Sequence, residues 1–504
     1  MTELRHKSNR HIVKRIIVRG ILVLDTPTSL GSGDADSPTD LPLLRDSISN
    51  HSLLTGSSIA GALRNYLREC NKGYGESDRR YDLAAKLFGD LFAYKNEQSE
   101  SEQKKIELRE KDTQSLLIID DSISTKSIKA ELRDGVKIDS VTRTAADKAK
   151  YDLELLQAGT KFPLSFELLI EKEKENDEAR LIQALAIALS GLQNQEICLG
   201  MKKRRGFGRC HVKEWQVWNF NLEDAGDRTA WLLFDRECSN KLPVITDKIA
   251  DALGVVLDDR EDKRDRFLLH ATFQLVGSLL IRSGQDLTGR APDVVHLKSH
   301  RNNELKPVLS GTSLAGVLRH RAERIVNTLG GSSTLVNELF GFVEGKEAKS
   351  SRLVVHEKVI KDATDLVQNR IAIDRFTGGA YHGALFDEQP IFGCDETRVC
   401  IELELRNPEK YEIGLLLLLL KDLWTSDLPV GGESSIGRGR LKGIQADLIW
   451  NCPQNPQQWE ISEENGKLNI IDKADQRRSE ESVRDELEVF VKALLAYLRK
   501  EVEG

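Results

Sequence analysis

The stretch GSSIAGALR at residues 56–64 recurs as GTSLAGVLR at residues 311–319, with six of nine positions identical and three conservative. Further matched pairs follow in the same order: LFG at 87–89 and 339–341, ID at 138–139 and 373–374, and GFGR at 206–209 with GRGR at 437–440. Chance does not readily produce four colinear matches. The period is far longer than that of a solenoid, so the repeated unit is a whole domain, present twice.

The same order of strand and helix patterns surrounds both copies. Apolar runs rich in β-branched residues predict a first strand at residues 16–24 and at 267–281. The repeated motif then opens a helix with apolar residues at helical spacing. Its N-cap candidates are the hydroxyl residues Ser57, Ser58, Thr312 and Ser313.

Later in each half the pattern changes to alternation and back to helical spacing. Alternating apolar residues predict strands at residues 162–168 and 399–405. Helices are predicted to follow at residues 179–192 and 413–424. Strand, helix, strands, helix, strand is the order of a ferredoxin-like sandwich, whose open sheet often serves as an RNA platform.

The sequence therefore predicts an α+β protein with two tandem ferredoxin-like, RRM-like domains that carry loop insertions. The predicted boundaries place the first domain at residues 1–214, a connecting segment at 215–264, the second domain at 265–450 and a C-terminal extension at 451–504. A length of 504 residues agrees with two domains of ordinary size.

Composition limits the class of protein. A formal net charge of −7 argues against a uniformly basic coat for nucleic acid, although 73 lysines and arginines leave room for local basic clusters such as KKRR at residues 202–205. No run reaches the roughly 18 apolar residues of a membrane span, and the Leu-rich residues 415–420 predict a buried helix. The N-terminus lacks a secretory pattern, so we expect a cytoplasmic protein.

The cysteines do not predict a metal module. Seven cysteines occur without a CxxC pair, so reduced thiols are expected. Cys394 and Cys400 have no histidine pair at ligand spacing. Zinc is therefore not expected there.

The motif set resembles the RAMP superfamily of CRISPR proteins, and more narrowly the backbone subunit of type III effectors, the seven-type Cas family. In that family the sequence before the helix is roughly Asp-Ser-Pro, two hydrophobic residues, Lys and Asp. Residues 40–46, DLPLLRD, match this motif closely. Residues 293–299, DVVHLKS, match it more loosely. Its glycine-rich signature is matched at residues 199–209 and 431–439. Two fused copies resemble the double-domain subunit of type III-D systems.

The resemblance implies a subunit that binds guide RNA and cleaves complementary target RNA within a complex of other subunits. The implied reaction is attack of a target 2′-hydroxyl on its neighbouring phosphate, assisted by a loop aspartate and Mg²⁺ or another divalent cation. Asp40 is the first choice for catalysis and metal binding, and Asp293 the second. Asp34, Asp36 and Asp286 compete from the same loops, and loop aspartates commonly cap turns.

Helix starts and glycine-rich loops supply the predicted RNA contacts, because unpaired helix N–H groups and lysine or arginine clusters attract phosphates. The alternative for the helix starts is an ordinary N-cap, and the alternative for the glycine-rich loops is a solvated turn. Phe207 could stack on a base, but packing in the core is the simpler prediction. The predicted RNA-binding residues are Gly31, Gly33, Gly56, Ser57, Ser58, Arg64, Lys202, Lys203, Arg204, Arg205, Gly311, Thr312, Ser313, Arg319 and Arg438.

A further implied element is a hairpin in each half that kinks the guide–target duplex. Asp139 and Arg143 occupy its position in the first half, and Asp374 and Arg375 in the second, where a structural ion pair is the alternative.

Two other functions stay open. The chain would be a non-catalytic scaffold if other subunits cut the target. It would instead be a guide-processing endoribonuclease of the related six-type family if it supplied a general acid/base near the first helix, for which His51 is the nearby candidate.

Overall fold

The computed structural model describes most of the chain. The described residues are 11–33, 42–75, 82–90, 113–139, 142, 144–234, 241–258, 262–283, 292–301, 304–345, 347–382, 384–464, 466–475 and 477–503. Asp34, Asp36, Asp40, Arg143 and Asp286 lie outside them. We call residues up to 258 the first half and residues from 262 the second half.

The strands of the first half are β1 (Ile12–Leu24), β2 (Leu53–Leu54), β3 (Leu117–Ile119), β4 (Ser122–Ile123), β5 (Ala130–Ile138), β6 (Ala145–Leu156), β7 (Lys161–Glu171), β8 (Cys210–Asn221) and β9 (Val244–Thr246). Its helices are α1 (Gly56–Lys72), α2 (Leu83–Phe88), α3 (Glu178–Gln193), α4 (Ala225–Leu232) and α5 (Ile249–Leu253).

The strands of the second half are β10 (Arg266–Val276), β11 (Ser278–Leu279), β12 (Val294–Val295), β13 (Lys298–Arg301), β14 (Glu304–Leu309), β15 (Phe342–Glu344), β16 (Glu347–Lys349), β17 (Leu353–Val355), β18 (Lys358–Val359), β19 (Thr364–Asp365), β20 (Gln368–Arg370), β21 (Phe386–Gln389), β22 (Ile391–Phe392), β23 (Arg398–Arg406), β24 (Arg440–Asn451), β25 (Gln457–Glu464) and β26 (Lys467–Asp472). Its helices are α6 (Gly311–Thr328), α7 (Thr334–Phe340), α8 (Lys410–Trp424) and α9 (Glu480–Glu503).

The two main sheets have the same topology. Their strand orders are β3-β7-β1-β8-β9 and β17-β23-β10-β24-β25-β26, and every pairing within them is antiparallel. The first four strands of both orders follow the ferredoxin-like arrangement, in which the first strand lies between the third and the fourth. The predicted α+β fold with two tandem ferredoxin-like domains is confirmed.

Each sheet packs its helices on one face because its strands alternate buried and outward residues. In β7 the inward side chains Phe162, Leu164, Phe166 and Leu168 join α1 and α3 in one core, and in β23 the inward Val399, Ile401, Leu403 and Leu405 join α6 and α8 in another. The Leu-rich helix α8 is buried as predicted. Full burial of a Leu or Phe side chain contributes about 1.5–3 kcal/mol, so these alternating positions stabilise each fold.

The N-caps of the repeated helices lie one position before the glycine, which corrects the predicted candidates. The backbone N–H of Ser58 donates to the hydroxyl of Thr55, and that of Ser313 donates to the hydroxyl of Ser310. Gly56 and Gly311 therefore begin the helices, and Ser57, Ser58, Thr312 and Ser313 lie in the first turn.

Two segments predicted as separate from the domains are continuous with them. Strand β8 runs to Asn221, past the boundary predicted after residue 214. Strands β25 and β26 extend the second sheet beyond β24, and α9 packs along α8, where the backbone of Phe490 lies against Gly414. Apolar side chains of the described residues between 457 and 498 thus complete the second core.

The two halves meet in an extensive polar contact, which we call the joint. The carboxylate of Glu357 binds Arg133 of the first half at 2.6 Å and Arg301 at 2.5 Å. Glu402 binds Arg209 at 3.3 Å, and Arg406 binds Glu69 at 3.2 Å. Burial opposes the ionisation of Glu357, but Arg133 and Arg301 outweigh it and lower its pKa.

The outer face of each main sheet is partly covered by other parts of the chain. In the first half, α4 covers part of this face, with Trp231 stacked on Arg15 at 4.2 Å and Phe234 packed against Trp218. In the second half, the outward Glu402, Glu404 and Arg406 of β23 face the first half. Within the described residues, no helix has both the length and the apolar character needed to cross a membrane.

Candidate nucleic-acid interface

The loops that carry the predicted catalytic aspartates are anchored in the same way in both halves. In the first, Ser32 N donates to Pro42 O at 3.0 Å; in the second, Ser283 N donates to Val295 O at 3.0 Å. Asp40 and Asp293 both stand two residues before the accepting carbonyl. Counted from these anchors, the two aspartates are equivalent, although Asp40 itself lies outside the described residues.

Asp293 is exposed and lightly held. One oxygen, Oδ2, accepts the backbone N–H of Asp387 at 3.1 Å, at the base of the β20–β21 hairpin. The other oxygen can therefore face a ligand from solvent.

The described residues contain no group of three or more His, Cys, Asp or Glu side chains arranged to hold a metal ion. Mg²⁺ commonly uses one or two carboxylates together with substrate phosphates and waters. A single exposed carboxylate such as Asp293 fits that kind of site, in which RNA would supply further oxygens. It does not fit a cage built by the protein alone.

The glycine-rich loops have the same backbone conformation in both halves. Positive φ angles occur at Gly200 (79°), Lys202 (54°), Gly206 (87°) and Gly208 (79°), and at Gly431 (79°), Glu433 (59°), Gly437 (90°) and Gly439 (77°). A β-carbon on Gly208 or on Gly439 would lie 1.9 Å from a backbone oxygen. Only glycine fits there, so the sequence motif encodes one conformation twice.

The first glycine-rich loop lies beside the Asp40 loop. A β-carbon on Gly31 would lie 2.8 Å from Met201, and the backbone N–H of Met201 donates to Ser29 O at 3.0 Å. Lys202 places its ammonium 3.7 Å from the ring centre of Tyr151, which belongs to the β5–β6 hairpin. Gly31, Gly33 and Lys203 are exposed at this end of the first half. These residues form the part of the predicted RNA contact that solvent reaches.

The other two cations of this loop, Arg204 and Arg205, were predicted to bind RNA but lie against the second half at the joint. Arg205 donates to Phe340 O at 3.1 Å, and burial together with the Arg319 guanidinium lowers its pKa. Burial and Arg406 lower the pKa of Arg204. The cluster at residues 202–205 therefore divides between solvent and the second half.

Arg438 is also buried, contrary to an exposed RNA-binding role. It is 3% exposed and its Nη2 binds Glu388 at 2.8 Å. Burial and the neighbouring Glu433 carboxyl raise the pKa of Glu388. Arg438 occupies the position that Phe207 fills in the first half, where the ring is 2% exposed and packs with Leu153 and Leu155 as predicted.

The helix starts are occupied by protein groups. The backbone N–H of Gly56 donates to Asp121 Oδ1 at 2.6 Å, so a carboxylate already takes the place expected for a phosphate. A β-carbon on Gly311 would lie 2.3 Å from the carbonyl oxygen of Arg205. Gly311 is therefore covered by the first half, whereas Ser57 and Ser58 remain exposed and Thr312 and Ser313 are half-buried.

The arginines that end the repeated motif have structural partners. Arg319 donates to Gly341 O at 2.7 Å and to Asn337 Oδ1 at 2.5 Å, and Arg64 pairs with Asp90 at 3.4 Å. Both guanidiniums tie the motif helix to the short helix that follows it. Contact with RNA would have to share these groups.

The repeated Ile-Asp pair forms the tip of a hairpin in each half. Asp139 accepts the backbone N–H of Thr142 at 2.7 Å, and Asp374 accepts those of Phe376 and Thr377, both at 2.8 Å. These hydrogen bonds lower the pKa of Asp374. Both aspartates cap the tip turn. The ion pair considered from the sequence stays a prediction for Asp139, because Arg143 lies outside the described residues. Phe376 beside the second cap is fully exposed.

His296 and Tyr151 are the residues of this region that the sequence patterns did not single out. His296 Nδ1 accepts the backbone N–H of Ile281 at 3.2 Å, and Nε2 contacts Val308 O at 3.2 Å, so the ring links the residue before the Asp293 loop to β14. In the sequence, only the position of His296 three residues after Asp293 could have suggested that it supports this loop.

A family model described as the RAMP superfamily matches residues 21–211 and 272–442. These segments coincide with the two ferredoxin-like units and include both anchored loops and both glycine-rich loops. No curated protein matches the sequence.

Proposed function

The chain belongs to the RAMP superfamily of RNA-binding subunits of CRISPR complexes, and from that premise we propose that it is a guide-RNA-binding backbone subunit of a type III effector. It is of the fused double-domain kind. It cuts complementary target RNA with Asp40 and Asp293. It works beside other subunits in the cytoplasm. The observation that carries this proposal is the identical anchoring of the two aspartate loops.

Guide RNA would run past the exposed residues of each half. Gly31, Gly33, Lys202 and Lys203 offer accessible backbone and two cations in the first half. In the second half Arg282, 67% exposed, stands at the position of Gly31, while Glu433 replaces Lys202. Lys202 and Lys203 therefore supply positive charge beside the first loop, whereas Arg282 beside the second loop shares its charge with Glu433 at 3.6 Å. Exposed cations of this kind supply sequence-independent attraction for phosphates.

The hairpin tips support a role in shaping the guide–target duplex. Both present exposed aliphatic side chains before the capped turn, Ile138 at 53% and Ile373 at 66% exposure, and the second adds the ring of Phe376. Apolar side chains can insert between base steps and unstack them. A target phosphodiester displaced in this way becomes flexible enough for its 2′-hydroxyl to align in line with the phosphate.

In that geometry Asp293 would orient the target 2′-hydroxyl or take its proton, and Asp40 would do the same in the first half. A divalent cation, when bound, would stabilise charge on the phosphate oxygens. One carboxylate oxygen of Asp293 accepts the backbone N–H of Asp387, which leaves the other oxygen for a ligand.

A scaffold without catalytic activity is the second candidate. It is favoured by the hydrogen bond between Asp293 and the backbone N–H of Asp387, because a loop aspartate that caps a neighbouring amide can be purely structural. Guide processing has less support, because His51 is half-buried and its Nδ1 contacts the carbonyl of Ser124 at 2.8 Å.

The test uses the assembled complex loaded with guide RNA. We expect Asp40→Asn and Asp293→Asn each to reduce target cleavage, and the double variant to abolish it, while guide and target binding persist. Chelation of divalent cations should abolish cleavage by the wild type. Asp387→Asn is the matched control, because only its backbone N–H contacts Asp293. Undiminished cutting by the double variant would establish the scaffold instead.

A further inference from the structure

The two glycine-rich loops have similar backbones, but Arg205 and Gly206 of the first are covered by the other half, whereas Ile436 and Gly437 of the second are exposed. A β-carbon on Gly206 would lie 2.3 Å from the backbone nitrogen of Glu357 in the other half, whereas one on Gly437 would meet nothing within 4 Å. Ile436, equivalent to the joint residue Arg205, is 53% exposed. The second loop is therefore a copy of a buried joint surface that has no cover within the described part of the chain.

The internal joint defines what such a loop contacts. The carbonyl of Arg205 lies over Gly311 at the start of α6, and its guanidinium reaches Phe340 O. Arg209, at the end of the loop, binds Glu402 on the outer face of β23. The receiving surface is thus a helix start, the end of the following short helix, and an acidic side chain on the neighbouring strand.

The first half has a surface at the corresponding backbone positions, but its side chains differ from those of the receiving surface in the second half. Backbone hydrogen bonds from Asp120 N to Ser165 O and from His356 N to Glu402 O are equivalent, so Ser165 stands where Glu402 stands. A second copy of this chain would therefore meet the exposed Arg440, the counterpart of Arg209, with a serine rather than a carboxylate.

Helix α4 also occupies that surface of the first half. Arg15 pairs with Glu167 and carries Trp231 over its guanidinium at 4.2 Å. Its counterpart in the second half, Arg266, instead receives Glu196 from across the joint at 2.9 Å. The connecting segment thus fills the place that a preceding domain would need.

We propose that residues 434–440 form an intermolecular docking site for one RAMP-type domain of a different chain, and that α4 prevents a second copy of this chain from docking there. The inference rests on the proposal that the chain works among other subunits. The partner domain is expected to present a glycine at its helix start over the carbonyl of Ile436, and an acidic side chain to Arg440. The chain then adds one neighbour at this end and does not polymerise.

The first experiment measures self-association of the full chain without RNA by sedimentation velocity. We expect the wild type to sediment as a single chain at every concentration. A Trp231→Ala/Ser165→Glu variant removes the cover and adds the missing acid, so its mass should rise with concentration, and adding Arg440→Glu should return it to a single chain. Circular dichroism checks that each variant is folded.

Two results would overturn the inference. One is a wild type that forms oligomers which Arg440→Glu dissolves. The other is a folded Trp231→Ala/Ser165→Glu variant that remains a single chain at every concentration.

The second experiment identifies the partner by placing a photo-cross-linking amino acid at Ile436 in the chain co-expressed with the other proteins of its own complex. The expected adduct is a peptide around a helix start in a RAMP-type domain of another chain, and the same probe at Leu305, exposed but outside the loop, should not form it. An adduct with a second copy of this chain, or with a protein of another fold, would refute the assignment. Neither experiment depends on cleavage, so the docking site can fail while the proposed catalysis stands.

Discussion

His296 ties the Asp293 loop to the core at a single ring. The imidazole is 2% exposed and makes one hydrogen bond to Ile281, before the loop, and one to Val308 in β14. Burial lowers the pKa of His296 to about 4, so the ring is neutral near pH 7 and can accept the N–H of Ile281. In the first half Leu43 occupies this place.

The stability of the chain should therefore depend on pH through His296. An unfolded histidine titrates near 6.5, so the stabilisation from a neutral buried ring is complete above that pH and is lost as pH falls towards 4. The full loss would be about 3 kcal/mol. Urea unfolding between pH 7 and pH 4.5 should show a smaller loss for His296→Leu, which cannot titrate, than for the wild type. A variant that loses as much stability as the wild type over this range would contradict the assigned role.

The predictions at single residues depended on what surrounds each side chain. Phe207 was predicted to be buried and is. Arg438 was predicted to bind RNA, but it fills the same slot and reaches Glu388, fifty positions earlier in the chain. A local pattern of glycines predicts the loop conformation, because φ is a property of the residue itself. The same local pattern does not reveal the ion-pair partner of an arginine such as Arg438, because that carboxylate comes from a strand distant in the sequence.

At the scale of elements, the hairpin tips depend on a capped turn. Asp374 receives two backbone N–H groups and the hydroxyl of Thr377, at 2.8, 2.8 and 3.1 Å. Asp139 makes the equivalent contacts with Thr142. The matched Ile-Asp pair of the sequence therefore marks a turn whose shape is fixed by one carboxylate.

Removing that carboxylate should loosen the tip alone. We expect Asp374→Ala to increase hydrogen exchange at the amides of Phe376 and Thr377 while the midpoint of thermal unfolding changes little, since the tip is exposed. Asp374→Asn retains an accepting oxygen and should exchange like the wild type. Equal exchange in Asp374→Ala and the wild type would mean that the cap does not order the turn.

The strands and helices were predictable because burial repeats along them. Alternation at residues 162–168 and 399–405 predicted β7 and β23, and the apolar run at 413–424 predicted α8. The helix starts were displaced because Thr55 and Ser310 precede the glycines and were overlooked as caps. Residues 34–41 and 284–291 lie outside the described residues. The roles of Asp34, Asp36, Asp40 and Asp286 stay predictions, as does the catalytic role of Asp293.

At the scale of the molecule, buried charges hold the two halves together. Glu357 is fully buried and receives guanidinium groups from Arg133 of the first half and Arg301 of the second. Glu131 of the first half extends the cluster, because it accepts from Ser299 at 3.0 Å. The sequence predicted the tandem repeat but not this joint, because its partners lie far apart along the chain, as do Arg133 and Glu357.

Breaking the cluster should destabilise the whole chain. Glu357→Ala leaves Arg133 and Arg301 buried without their shared acid, and loss of one partner of a buried ion pair costs about 3–5 kcal/mol. Urea unfolding should show this loss. Glu304→Ala, which removes an exposed pair with Lys306, should change stability by less than about 0.5 kcal/mol. Similar stabilities for the two variants would contradict the importance of the joint.

The central claim is that each half carries one cleaving aspartate in an equivalently anchored loop. The most direct measurement maps the 5′ ends of target-RNA fragments produced by the intact guide-loaded complex, with wild-type chain, Asp40→Asn, Asp293→Asn and both together. The account predicts that each single variant loses a different set of ends and that the double variant loses both sets while still binding target. An unchanged set of ends in the double variant would contradict it.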